Sequence, residues 1–285
     1  MHTGIDTLSR DKPSTAAAAQ CICISRLVIR GGMRQPGQRP GRSTLPSLSG
    51  IRKGLSIVTR PHFLQALVRH RVAAASEHLD AIRHCAAETL IDAGANKGQF
   101  SLAFRRLRPG ARIIAFEPLP EAADTFERVF VDDRLTELLP HALASAEGSA
   151  QFHVADRTDS SSLLAPGEGQ ALAFGVREAH TIDVSLKRLD QSLEISALAH
   201  PIMLKVDVQG GELGVFEGCD LLADIDFIYV ELSFVELYDG QPLFQEVMDY
   251  LVARGFAIVG TYNQVSTPQF GPTQVDVLFK STGRG

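Results

Sequence analysis

The sequence predicts an α/β fold with a mostly parallel sheet, and three observations carry that prediction. Residues 89–118 read as a strand, a glycine-bearing loop, an amphipathic helix and a second strand. Short apolar runs go on alternating with amphipathic stretches as far as residue 279. No run reaches the roughly 18 uninterrupted apolar residues that a membrane helix needs, so no integral membrane segment is expected. A chain of 285 residues with 45% hydrophobic side chains has ample material for a packed core.

Taken in order, residues 1–60 hold ten Lys and Arg against two Asp, a net of +8, without a sustained apolar period. They are expected to be disordered. A basic contact arm, a transit peptide or a translation start placed too early would give the same arginine-rich, acid-poor appearance. Residues 61–285 carry 18 basic and 31 acidic side chains, a net of −13. That excess argues against nucleic acid as a partner, because phosphate binding is driven by positive charge. Cys21, Cys23, Cys85 and Cys219 make neither a disulfide framework nor a usual zinc spacing, which fits a reduced, cytoplasmic setting.

In residues 62–84, Leu64, Val68, Val72, Ala75, Leu79 and Ile82 recur at gaps of three and four, predicting one helix with one apolar stripe that packs on the sheet or roofs the site. His62, His70, His78 and His84 do not converge on one face and read as solvated. The strand Thr89–Ala93 follows. Phe100, Ala103, Phe104 and Leu107 then mark a helix that Arg108, Pro109 and Gly110 stop, and residues 111–116 form a second strand. Residues 119–130 read as a helix with Pro120 in its first turn and Glu121 where the helix dipole favours an acid.

A third strand is expected over residues 135–144. Residues 151–154 and 181–186 have strand character and flank a Ser-, Gly- and Ala-rich loop, 156–175, long enough to be a lid or flap. Residues 201–207 are the fourth core strand, after which Gln209, Gly210 and Gly211 turn the chain and Glu212 starts a helix ending near Cys219. Residues 226–232 are the fifth strand, and the loop 233–240 offers Phe234 and Tyr238 as walls for a ligand. Residues 241–254 are helical, with Leu243, Phe244, Val247, Met248 and Leu251 as the core-facing stripe. Residues 256–261 and 275–279 are the last strands, joined by a Gly/Pro/Gln-rich loop.

The loop Asp92-Ala93-Gly94-Ala95-Asn96-Lys97-Gly98 is the expected binding site, since strand, helix and parallel strand form a right-handed crossover whose crevice lies beyond the strand ends. Its two glycines let the backbone turn sharply and approach a ligand. A dinucleotide fingerprint would read G-x-G-x-x-G. This loop reads G-x-x-x-G after an aspartate, which repels phosphate and suits a cationic or amine-bearing ligand. Glu117, at the tip of the second strand, is placed to accept hydrogen bonds from both hydroxyls of a ribose. Together the two acids predict a nucleoside that carries an amino group. Lys205 and Asp207 share a face of the fourth strand, and two charges there need each other, a ligand or water. Glu231 leaves the fifth strand facing the same crevice, and Glu212 is either a helix-start acid or a site residue.

Asp92 to Gly98 with Glu117 resembles the S-adenosylmethionine site of class I methyltransferases. SSSLL at 160–164, LKVDVQGGE at 204–212 and VELSFVELYDGQPLF at 230–244 narrow the likeness. Together they resemble the FkbM family of O-methyltransferases, over residues 85–281. The resemblance implies a Rossmann-like class I methyltransferase fold: a seven-stranded, mostly parallel sheet with helices on both faces and an antiparallel last strand inserted between its neighbours. The chain then divides into a disordered basic extension (1–60), an N-terminal helical segment (61–88) and a methyltransferase domain (89–285).

The resemblance further implies S-adenosyl-L-methionine as cofactor, held by Asp92, Gly94, Ala95, Asn96, Gly98, Glu117 and Pro118. It places His141 and Ala142 beside the adenine and brings in Ser161 from the serine stretch. Asp207 is the first choice for the base, with Lys205 holding it ionised or orienting the acceptor, and Glu231 the alternative base or a sugar-hydroxyl ligand. A divalent ion on Asp207 and Glu231 stays open. The implied acceptor is a hydroxyl of a small molecule or glycan: a sugar of a glycan or glycolipid, or a polyketide-type product. Two other readings remain, a non-catalytic nucleoside-binding domain and a nicotinamide oxidoreductase, and the missing G-x-G-x-x-G speaks against the second.

Overall fold

The computed structural model describes residues 66–283. The expected disorder of residues 1–60, and the start of the helix expected at residue 62, lie outside the described residues.

Residues 66–85 are not one continuous helix. A π-helical turn, Ala66–His70, ends at Arg71, whose φ of 58° is left-handed. An irregular link follows, in which the Ala75 N–H donates to the Gln99 carbonyl at 3.0 Å. Helix then resumes as a 3-10 turn, Ser76–His78, and α1, Leu79–Cys85. The apolar stripe breaks because its residues serve two sites. Val72 packs with Ala95 and Phe126, whereas Leu79 and Ile82 pack with Leu90 and Phe104.

The crossover unit forms as its pattern predicts. β1, Thr89–Ala93, is buried at every position. α2, Gln99–Leu107, buries Phe100, Ala103 and Phe104. β2 is Arg112–Phe116, and α3, Pro120–Phe130, has Pro120 and Glu121 in its first turn. The expected third strand is two: β3, Thr136–Leu139, stays in the main sheet, whereas β4, Ala142–Leu143, joins a second one. Pro140 stands at the break, and without an N–H it cannot continue a ladder. β5, Gly148–Ala155, then leads into residues 156–175, which carry a 3-10 turn and a helix, α4, Glu168–Phe174, rather than loop alone. β6, Glu178–Lys187, closes a three-stranded sheet of order β4-β6-β5.

β7 (Ile202–Val206), α5 (Glu212–Glu217), β8 (Phe227–Ser233) and α6 (Phe244–Val252) follow their expected positions closely. β9, Phe256–Thr267, and β10, Gly271–Ser281, are longer than expected. The stretch read as their connecting loop lies largely within the ladder, where register shifts at Pro272/Gln274 and Gln274/Asp276 absorb its irregular residues.

The main sheet has the order β3-β2-β1-β7-β8-β10-β9. β10 is antiparallel to both neighbours, and the pairs from β3 to β8 are parallel. Helices cover both faces. On one, Ile91, Leu204, Ile228 and Phe279 pack with Phe216 of α5 and Leu251 of α6. On the other, Leu90, Ile113 and Met203 pack with Ile82 of α1 and Phe104 of α2. Each such side chain, fully buried, contributes about 1.5–3 kcal/mol, and together they fix the strand tips. The strand order reverses between β1 and β7, where a doubly wound sheet opens its crevice.

Candidate active site

Three chain exits meet at that reversal. The β1 exit is pinned on both sides, since Gly94 and Ala95 N–H donate to the Phe116 carbonyl (both 3.0 Å) and Asp207 N–H donates to the Ala93 carbonyl (3.1 Å). Gly94 has φ 74°, and a Cβ on it would stand 1.9 Å from the Asp207 carbonyl oxygen. Gly98 has φ 90°, and its Cβ would stand 2.6 Å from the Phe130 ring. The close approach expected towards a ligand is thus made towards the protein itself: the glycines let the loop sink between β7 and α3. Ala95 is buried in the same packing.

Glu117 is fixed at the tip of β2. Its Oε2 accepts the Asn96 N–H and its Oε1 the Leu119 N–H, both at 2.8 Å. Burial pushes its pKa up to about 7, against the pull of those two N–H groups and of Lys205. Each oxygen keeps a lone pair for a further donor. Asn96, at φ 49°, also accepts the Lys97 N–H through its own Oδ1 (2.8 Å). Pro118 follows, half-buried at the exit.

Asp92 corrects an expectation. It is fully buried, accepts the Ser101 hydroxyl at 2.7 Å and pairs with Lys205 at 3.2 Å. Its charge is therefore neutralised inside the protein rather than presented to a cationic ligand. Lys205 is equally committed. Its Nζ donates to the Gly94 carbonyl (2.9 Å), lies 3.6 Å from Asp207 Oδ2 and sits 5.7 Å above the Phe100 ring. Burial alone would lower its pKa, but Asp92 and Asp207 outweigh burial and raise it. Of its two expected roles, this geometry favours holding Asp207 over orienting an acceptor.

Asp207 is the open member, with 40% of its side chain exposed. Its Oδ1 accepts the Gln209 amide at 2.6 Å, and the same amide donates to Glu231 Oε2 at 3.3 Å. Glu231 Oε2 also accepts from Gln274 (2.7 Å). Burial first, then the charges of Asp207, Asp276 and Glu212, hold the Glu231 pKa well above the carboxylate range. Glu212 is buried, accepts the Gly210 N–H at 2.9 Å and is pushed up to about 7, mainly by burial. Among the described residues no group of three or more His, Cys, Asp or Glu is placed to hold a metal. Between Asp207 and Glu231 stands an amide that donates to both.

The other expected residues lie further out. The His141 ring meets Phe116 edge-on at 5.3 Å, its Nε2 lies 3.2 Å from the Ser192 hydroxyl, and burial lowers its pKa. Ala142 is buried in β4. Ser161 turns back onto its own hairpin, accepting the Ala155 N–H at 3.1 Å. Its neighbour Ser162 reaches the site instead, donating to the Gln209 carbonyl at 2.6 Å. Of the two proposed walls, Tyr238 is fully buried and Phe234 is exposed against Phe244. His78, read as solvated, bonds Tyr229 (2.9 Å) in a part-buried cluster with Asn263 and Asp276.

The family model described as Methyltransferase FkbM domain matches residues 92–258. The chain belongs to the FkbM methyltransferase family. Methyltransferase 1 of Beauveria bassiana is 28% identical over 198 residues, covering 64% of this chain and 76% of that protein. The 2-O-methyltransferase NoeI of Sinorhizobium fredii is 32% identical over 171 residues, covering 57% and 70%. Among solved structures, an rRNA methylase from Streptococcus thermophilus gives a TM-score of 0.41 at 12% identity, covering 71% of this chain and 93% of that one. A methyltransferase it therefore is, and the nicotinamide oxidoreductase reading falls away.

Sequence reasoning passed over Ser101, Gln209, Gln274 and Gln170. Gln209 stood inside a quoted motif but read only as a turn residue. Gln274 and Gln170 reach the site through register and flap docking, which leave no local pattern.

Proposed function

We propose that this FkbM methyltransferase takes a methyl group from S-adenosyl-L-methionine and places it on a hydroxyl of a sugar or related natural product. One observation carries the reading: Glu117 and Asp207 stand on either side of the sunken β1 exit, one fixed by two N–H groups and the other open to solvent. Glu117, with lone pairs left on both oxygens, suits a vicinal diol such as a ribose. Asn96 and Pro118 frame that side, and His141, against Phe116, borders the place for the base. Lys205 is enclosed by Asp92, Asp207 and the Gly94 carbonyl, so its charge is not free to meet a phosphate.

When bound, the cofactor supplies an electrophilic methyl on a sulfonium. The protein must then hold the acceptor oxygen in line, a constraint that is able to supply about 7–11 kcal/mol of the barrier. Asp207 would take the hydroxyl proton as the new C–O bond forms and the methyl–sulfur bond breaks, the sulfur leaving as a neutral thioether, and Lys205 would stabilise the carboxylate beforehand. Glu231, its pKa raised, is the poorer base at neutral pH and better suited to binding a sugar hydroxyl. The name of the Sinorhizobium relative, a 2-O-methyltransferase, supports oxygen as the receiving atom. The catalytic unit spans residues 89–285 in this reading, with 61–88 supporting it.

The test is calorimetry with S-adenosyl-L-methionine, followed by mass-spectrometric detection of a one-methyl gain on a panel of methyl glycosides. Asp207→Asn should keep donor binding while turnover falls about 100-fold to 10,000-fold. A wild-type protein that binds no donor overturns the proposal.

A further inference from the structure

A run of polar side chains, buried at its outer end and half-buried at Gln209, joins the flap to the catalytic turn. In α4, Gln170 is buried and its Nε2 donates to Tyr238 Oη at 2.8 Å. Tyr238, itself fully buried, has one hydroxyl hydrogen and two acceptors within its reach, Gln209 Oε1 at 2.8 Å and the Ser160 carbonyl at 3.0 Å, and the shorter contact is the one to Gln209. The other end of the Gln209 amide donates to Asp207 and Glu231. Gln209 is held at φ 59°, a backbone conformation that costs a residue with a side chain. Its carbonyl is fixed by the Ser162 hydroxyl.

An amide is the group this position needs. It accepts at one end from a hydroxyl and donates at the other to an acid, which neither a carboxylate nor an ammonium does. The flap is seated independently of this chain, since Gly167 N–H donates to the Leu237 carbonyl and Asp239 N–H to the Ala165 carbonyl, both at 2.9 Å. The polar run is therefore not the flap's sole attachment, and its inner end lies on Asp207.

We propose that Gln209 is a positioning residue for methyl transfer: the flap, through Gln170 and Tyr238, orients the Gln209 amide, and the amide aims Asp207 at the acceptor hydroxyl. This rests on Asp207 being the base. A flap closed over its acceptor then has a direct mechanical hold on the group that removes the acceptor's proton.

Tyr238→Phe removes one oxygen and keeps the ring. On methyl glycosides its kcat should fall about 10-fold to 100-fold, the loss expected for a misplacement near 1 Å, while the donor KM stays unchanged. Added to Gln209→Ala, it should cause no further loss. A second measurement needs neither donor nor acceptor: the side-chain amide of Gln209, observed by NMR in glutamine-labelled protein and assigned by its absence from Gln209→Ala, should shift in both Tyr238→Phe and Asp207→Asn. If Tyr238→Phe fails to fold, Gln170→Leu breaks the run one link further out and carries the same expectations. An amide signal unmoved by these variants, or kcat losses that multiply in the double variant, overturns the proposal. A protein that binds no donor refutes the functional reading separately, whatever the amide signal does.

Discussion

Lys205 is the residue on which the charge balance of the site turns. It is the counter-ion of fully buried Asp92 and lies within reach of Asp207. Removing one partner of a buried pair leaves an uncompensated charge, so Lys205→Met should destabilise the fold by about 3–5 kcal/mol. Adding Asp92→Asn should recover most of that stability but not turnover, because Asp207 still lacks its neighbour. Denaturant titration of the three proteins checks this; a single variant as stable as wild type would mean that Asp92 does not need the lysine. Glu117 gives a second prediction. With its pKa at about 7, and diol binding favouring the ionised form, donor affinity should rise about tenfold between pH 6 and pH 8. Calorimetry on Glu117→Gln should show weaker binding and a flat profile. These roles were only half legible. An acid near the end of β1 reads the same in sequence whether it faces a ligand or a lysine, and the strand that supplies Lys205 lies more than a hundred residues away.

At the scale of elements, α4 is the part whose proposed role as a flap depends on how it is docked. Gly169 in α4 lies so close to the loop after β8 that a Cβ would stand 2.0 Å from the Glu236 carbonyl oxygen. Gly169→Ala should therefore lift α4, raising hydrogen exchange over residues 165–175 and lowering turnover. The melting temperature should change little, because α4 contributes nothing to the two larger core clusters. Equal loss of protection across the sheet would contradict this. The crossover units were legible because a strand buried on both faces, such as β1 or β7, and an amphipathic helix each leave a local period. What misled was order that comes from elsewhere. The described part of the 62–84 stripe is shared between two packing sites, Val72 in one and Leu79 with Ile82 in the other, the β4 pairing depends on β6 more than forty residues later, and α4 is held by its contacts with 236–239 rather than by its own pattern.

For the whole molecule, the acids gathered at the crevice tie stability to pH. Glu212 titrates at about 7 in the folded protein, above its unfolded value, so the folded state holds its proton more tightly. Stability falls as pH rises from about 4.5 to about 7, by an amount on the order of 3 kcal/mol, and stays reduced above that window. Glu212→Gln keeps an acceptor for the Gly210 N–H without the ionisation, so its melting temperature should gain on wild type between pH 5 and pH 8. A constant gap would show that Glu212 does not titrate in this range. The antiparallel β10, inserted between its neighbours, came from the family likeness, since nothing local to residues 271–281 specifies direction. The most direct measurement of all is a crystal structure with S-adenosyl-L-homocysteine bound. The ribose hydroxyls should lie on the Glu117 carboxylate with the sulfur facing Asp207; a nucleoside bound away from the crevice between β2 and β7 would contradict the account.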